Sequence, residues 1–172
     1  MNLSCGDANC GELLEKMRRG QLSVTETIAA LDLFGERGFT EALPDVVPLL
    51  HSPESEVRRY ALSTLVRDCK LSEYKDEAER MLRTDPDELV RLAAVFALAA
   101  LGRSFRDHSI LRALYQALVN EAEEETIRVE AYNEIRRLLG LPKADERLSR
   151  LSDIQEWGSI ENLRDLLASC GE

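Results

Sequence analysis

The sequence predicts an all-α fold, a right-handed α-solenoid of stacked antiparallel helix pairs with atypical terminal helices. Three observations carry that expectation. A short pattern recurs: a β-branched residue, an arginine after it, an alanine four positions on and a large aliphatic four further. It reads Val57, Arg58, Ala61, Leu65, then Val90, Arg91, Ala94, Leu98, then Ile127, Arg128, Ala131, Ile135. The copies lie 33 and 37 residues apart, and a fixed period of that size marks a repeat architecture in which each unit buries its apolar face only against its neighbours. Composition agrees, because 44 % of the chain is hydrophobic and only 5 % aromatic, which suits helices better than sheets.

The elements follow in order. Residues 1–10 read as an irregular N-terminal segment, and 11–39 as capping helices or a degenerate repeat. Within the latter, Leu13, Leu14 and Met17 mark a short amphipathic run that Gly20 ends. Ser23 with Glu26 three positions on forms a capping box for a second helix. Ile28, Leu31 and Phe34 form its buried stripe, with Gly35 and Gly38 at its exit. Val24 stands 33 residues before Val57, with Thr25 in place of the arginine and Ile28 in place of the alanine.

Residues 40–141 hold three helix pairs. The first opens with a helix over Leu43 to His51, kinked at Pro48, and restarts at Ser52-Pro53. In the second, Ser72 caps the first helix, and Asp85-Pro86-Asp87-Glu88 starts a nearly all-apolar helix ending at Gly102. The third spans about His108 to Asn120 and Thr126 to Leu139, closed by Gly140 and Pro142. Residues 142–172 break the period but keep apolar residues at three- and four-residue steps, so one or two capping helices are expected there, anchored by Trp157.

Several functions are disfavoured. The net charge is −10, which opposes nucleic-acid binding unless positive charge gathers on one face. No run of eighteen apolar residues exists to cross a membrane, and no secretory signal opens the chain, so a cytoplasmic location is expected. Cys5, Cys10, Cys69 and Cys170, with His51 and His108, lack zinc-site spacing; free thiols and no metal are the reading. Asp107-His108-Ser109 cannot converge as a triad at a helix start, where an aspartate or serine cap explains it better. Glu123-Glu124-Glu125 reads as a solvated turn beside the positive end of the next helix. No catalytic constellation is visible, so neither an enzyme nor a cofactor is expected.

The recurring segments resemble the HEAT-repeat superfamily, and the short period is most similar to the HEAT-like repeats of the phycobilin lyase type. That resemblance implies a ladder in which Arg58, Arg91 and Arg128 bond acidic turn residues of neighbouring repeats. Asp85 fits the acidic position, and Glu54, Asp87 and Glu123 are substitutes where it is missing. It implies little about activity, since such stacks serve scaffolds, adaptors, lyases and a few DNA-repair enzymes.

With Val57, Ala61 and Leu65 facing the core, helical geometry puts Arg59, Ser63 and Val66 on the opposite side. The equivalents are Leu92, Phe96 and Ala99, then Val129, Asn133 and Arg136. Second helices of such pairs line the concave face. The expected partner-binding site is therefore Arg59, Ser63, Leu92, Phe96, Val129, Asn133 and Arg136, an apolar patch flanked by arginines. A tightly curved stack or the C-terminal cover would instead bury it. The leading function is a protein-interaction module (adaptor, regulator or inhibitor) whose partner and oligomeric state the sequence leaves open. The alternative is a bilin lyase-like chaperone or enzyme component holding a tetrapyrrole and its acceptor protein, and a HEAT-like DNA glycosylase ranks third.

Overall fold

A computed structural model describes residues 5–105, 107–141, 150, 151 and 163, with side-chain environments from residue 9 onward. The expected C-terminal capping helices, Trp157 and Cys170 lie outside the described residues. The architecture is an α-solenoid, with eight α-helices among those residues. They are α1 (Cys5–Arg18), α2 (Val24–Arg37), α3 (Leu43–Val46), α4 (Ser55–Leu62), α5 (Lys75–Thr84), α6 (Glu88–Phe105), α7 (His108–Val119) and α8 (Glu125–Leu139). Helix α1 packs on α2, α5 on α6 and α7 on α8, while α2, α4, α6 and α8 also pack in succession. The second helices thus form a continuous layer.

Local chemistry explains most boundaries. Ser23 and Glu26 close the capping box, the Glu26 N–H donating to Ser23 Oγ at 3.3 Å and the Ser23 N–H to Glu26 Oε2 at 2.8 Å. Gly20, Gly38 and Gly140 take φ of +63°, +59° and +61°, the left-handed region that ends α1, α2 and α8. Pro48 has its expected effect in a particular form: α3 gives way to a 3₁₀ turn over Val47–His51, whose looser bonding tolerates the missing donor. Asp87, rather than Asp85, caps α6, accepting from the N–H of Leu89 at 2.9 Å. Asp107 caps α7 through the N–H of Ser109 at 2.8 Å.

Four expectations need correction. Helix α1 begins at Cys5, so the stretch read as irregular to residue 10 is mostly helical, and Cys10 is buried in the core. Ser52 does not cap α4 and Pro53 does not open it. The Ser52 hydroxyl accepts from the N–H of Glu54 at 3.3 Å, and the helix starts two residues later. Ser72 heads a 3₁₀ turn ahead of α5 without a side-chain cap. Gly35 and Gly102 do not stop their helices. Both are buried inside them, where a neighbouring element approaches too closely for a side chain. A Cβ on Gly102 would stand 3.0 Å from a Leu138 methyl of α8.

The core runs the length of the stack. Val57, Ala61 and Leu65, Val90, Ala94 and Leu98, and Ile127, Ala131 and Ile135 are all buried, so the recurring pattern is the inward face of α4, α6 and α8. The alanines keep adjacent helices close, and the large aliphatics each contribute about 1.5–3 kcal/mol by leaving water. Leu151, whose N–H donates to Glu125 of α8 at 2.9 Å, packs on the core that buried Leu163 joins.

Candidate functional site

The end of α4 positions the site. After Leu62 the chain continues as a π-helical turn over Ser63–Asp68, bonded from the Cys69 N–H to the Thr64 carbonyl at 3.0 Å. The Thr64 hydroxyl lies 2.8 Å from the Leu31 carbonyl of α2 and 2.9 Å from the Tyr60 carbonyl. That side chain ties the widened turn to the preceding repeat. Gly35 of α2 allows the approach, since a Cβ there would stand 2.6 Å from Asp68 Oδ2. Such turns alter which way successive side chains point and recur at functional sites.

The π turn, α2 and α6 enclose a groove of about 300 Å³ lined by Asp32, Arg59, Tyr60, Ser63, Arg67, Leu89, Leu92, Ala93 and Phe96. Each helix gives it a different chemistry. Helix α6 supplies Leu89, Leu92, Ala93 and Phe96, one stripe at helical spacing. Leu89 is 48 % exposed and the other three are half-buried. Helix α4 and its π extension supply two guanidinium groups. Arg59 stacks over the Tyr60 ring at 4.8 Å and donates from Nη2 to Glu56 at 3.0 Å. Its Nε is buried without a hydrogen-bond partner. Arg67 pairs with Asp68 at 2.8 Å, a bond that pushes the arginine pKa up, with the charge of Asp32 adding to it. Helix α2 supplies the exposed Asp32 carboxylate. The groove therefore grades from apolar through cationic to acidic.

Behind it, the ladder holds the repeats in register. Arg58 grips Asp85 with two bonds, Nε to Oδ2 at 2.9 Å and Nη2 to Oδ1 at 2.8 Å, and donates from Nη1 to the Ser52 carbonyl at 2.9 Å. One repeat on, Arg91 bonds Glu123 at 2.9 Å and donates to the Asp85 carbonyl, again six residues back. Arg128 instead donates to the Leu118 carbonyl at 2.9 Å, at the end of α7. Burial pushes the Asp85 carboxyl up, but the Arg58 bond and the Asp87 N–H outweigh it and hold its pKa below the ordinary value. Glu123, expected in a solvated turn but also named as a substitute rung, is the second acidic rung, its side chain only 6 % exposed. On the outer layer, Lys75 bonds Asp107 at 2.9 Å and the Ser109 hydroxyl at 2.8 Å. The Lys75 bond, then the Ser109 hydroxyl, lower the Asp107 pKa to about 2.

Of the residues expected on the concave face, Arg59, Ser63, Leu92 and Phe96 converge on the groove. Val129, Asn133 and Arg136 do not reach it. All three are buried, as is every residue from 129 to 136, and Arg136 lies over the Tyr132 ring at 5.7 Å. Helix α8 thus belongs to the core, and the inner patch is confined to the first two full repeats. Asp32, Tyr60, Arg67, Leu89 and Ala93 complete the lining and escaped sequence reasoning. Tyr60 and Ala93 are 33 residues apart and carried a signal, since the same offset links Arg59 to Leu92 and Ser63 to Phe96.

Among the described residues no three metal-ligating side chains cluster, and no helix is long and apolar enough to cross a membrane. Burial and the Asp68 charge push the Cys69 thiol up, away from the reactive thiolate.

The family model for HEAT repeats matches residues 13–99, half of the chain. The chain belongs to the HEAT-repeat family. Its match runs from the second half of α1 to most of α6 and includes the helices that build the groove. HEAT repeats are commonly protein-interaction scaffolds. No curated protein and no solved structure matches this HEAT chain.

Proposed function

We propose that this chain is a protein-interaction module, an adaptor, regulator or inhibitor, that seats a segment of a partner protein in the groove between α2, α4 and α6. One observation carries the reading. Helix α6 is the most apolar of the second helices, yet Leu89 stands open beside half-buried Leu92, Ala93 and Phe96. A contiguous open apolar stripe beside aromatic and arginine side chains has the composition of binding hot spots. A volume of about 300 Å³ lies at the bottom of the small-molecule range. It suits one or two inserted side chains better than a flat tetrapyrrole. The proposal assigns the chain no reaction of its own.

Leu89→Asp tests it. Leu89 is too exposed to support the core, so stability should change by no more than about 0.5 kcal/mol. Affinity capture with both proteins as bait should show specific partners lost from the variant. Identical partners on both baits would refute the groove as the binding surface.

A further inference from the structure

Resting on that reading, we infer that the groove selects an extended, mixed-character segment: a large apolar side chain with a carboxylate about three residues away. Three observations fix the chemistry. The apolar stripe lies on α6 alone, while both guanidinium groups lie on α4 and its π extension. A segment crossing the groove therefore meets the two chemistries in sequence. Adjacent packed helices sit roughly 8–10 Å apart, and an extended chain advances about 3.3 Å per residue. The anchor and the carboxylate thus fall about three positions apart.

Second, Arg59 is poised for an acceptor. Its face is held by Tyr60 and its Nη2 by Glu56, so the guanidinium is fixed in place. Its Nε remains a buried donor without a hydrogen-bond partner. That atom is closed to solvent, but the side chain is 30 % exposed, and its open edge can donate a charge-assisted bond to a carboxylate. Third, Asp32 on α2 gives the groove a direction. A second carboxylate placed beyond the arginines meets like charge, so the segment carries a neutral or basic residue there. The pattern is apolar, then acidic, then not acidic.

A randomised twelve-residue peptide display library, selected on the whole protein, tests this. Selected peptides are then measured by fluorescence anisotropy against wild type, Arg59→Gln and Leu89→Asp, with helical content checked by circular dichroism. The expected winners carry a large apolar residue with Asp or Glu about three positions away. They should bind Arg59→Gln about tenfold more weakly, and the wild-type advantage should shrink between 50 and 500 mM salt. Winners without the acidic residue, or equal binding to Arg59→Gln, would overturn the charge pattern while leaving the groove intact. Winners unaffected by Leu89→Asp would overturn the groove itself, and no enrichment at all would overturn both.

Discussion

Asp85→Ala should be among the most damaging single substitutions at a polar position. The carboxylate is 5 % exposed, and it takes two bonds from an arginine that is itself 12 % exposed. Removing one partner of a buried pair costs about 3–5 kcal/mol, because the other charge stays buried without compensation. Arg58 keeps the Ser52 and Pro53 carbonyls on Nη1, which places the loss near the lower end, about 3 kcal/mol. The Asp87 N–H also loses its acceptor, adding about 1 kcal/mol. At about 2–4 °C per kcal/mol for a domain of this size, the melting temperature should fall by roughly 10 °C. Urea denaturation of Asp85→Ala, Arg58→Met and the double variant checks the reasoning. Direct contact predicts that the double variant loses less than the two singles together, by about 0.5–3 kcal/mol. A loss under 1 kcal/mol for Asp85→Ala, or strict additivity, would refute the ladder as a stabilising contact.

Gly35→Ala should cost about 1–3 kcal/mol, since its Cβ would stand 2.6 Å from Asp68 Oδ2 and 3.3 Å from Asp68 Cβ; unchanged urea stability would mean that α2 and the π turn are not in close contact. The Asp107 pKa of about 2 lies below the reference 3.8, so the unfolded chain takes up this proton first as pH falls. Its contribution is present above about pH 4 and lost towards pH 2; in Asp107→Asn the acid limb of the stability curve should be shallower in that window, and a limb parallel to wild type would contradict the assignment.

Much of the fold was legible because it rests on periodic burial. The pattern through Val57, Val90 and Ile127 named the inward faces of three helices, and the glycines at 20, 38 and 140 ended helices as local backbone chemistry requires. Gly35 and Gly102 misled for a physical reason. A glycine that ends a helix and one that lets a neighbour approach look alike until the neighbour is placed, and Leu138 and Asp68 are distant in sequence. The resemblance names Glu123 as a substitute rung, but its burial was not legible because its partner, Arg91, arrives from the preceding repeat. The π turn left no signal that propensity could reveal, and the bond from the Thr64 hydroxyl to the Leu31 carbonyl joins residues 33 apart in sequence.

The site was half legible. Extending the 33-residue offset from Arg59 and Ser63 led to Leu92 and Phe96, two residues on one stripe of α6 that line the same groove. The next step, to Val129, Asn133 and Arg136, failed because periodicity names a helix face without saying what covers it. At α8 the core takes in Leu151 and Leu163, residues outside the period. Asp32 was missed because α2 is a degenerate copy. The offset back from Tyr60 and Ser63 lands on Thr27 and Ala30, short of the carboxylate that lines the groove.

Methyl-resolved NMR of the protein, titrated with a peptide selected on it, tests the binding surface most directly. The Leu89 and Leu92 methyl signals should shift together on saturation, while those of Leu82 and Val119 on the first helices of their pairs stay in place. Shifts confined to Leu82 and Val119, with Leu89 and Leu92 unmoved, would put the partner on the opposite layer and contradict the account.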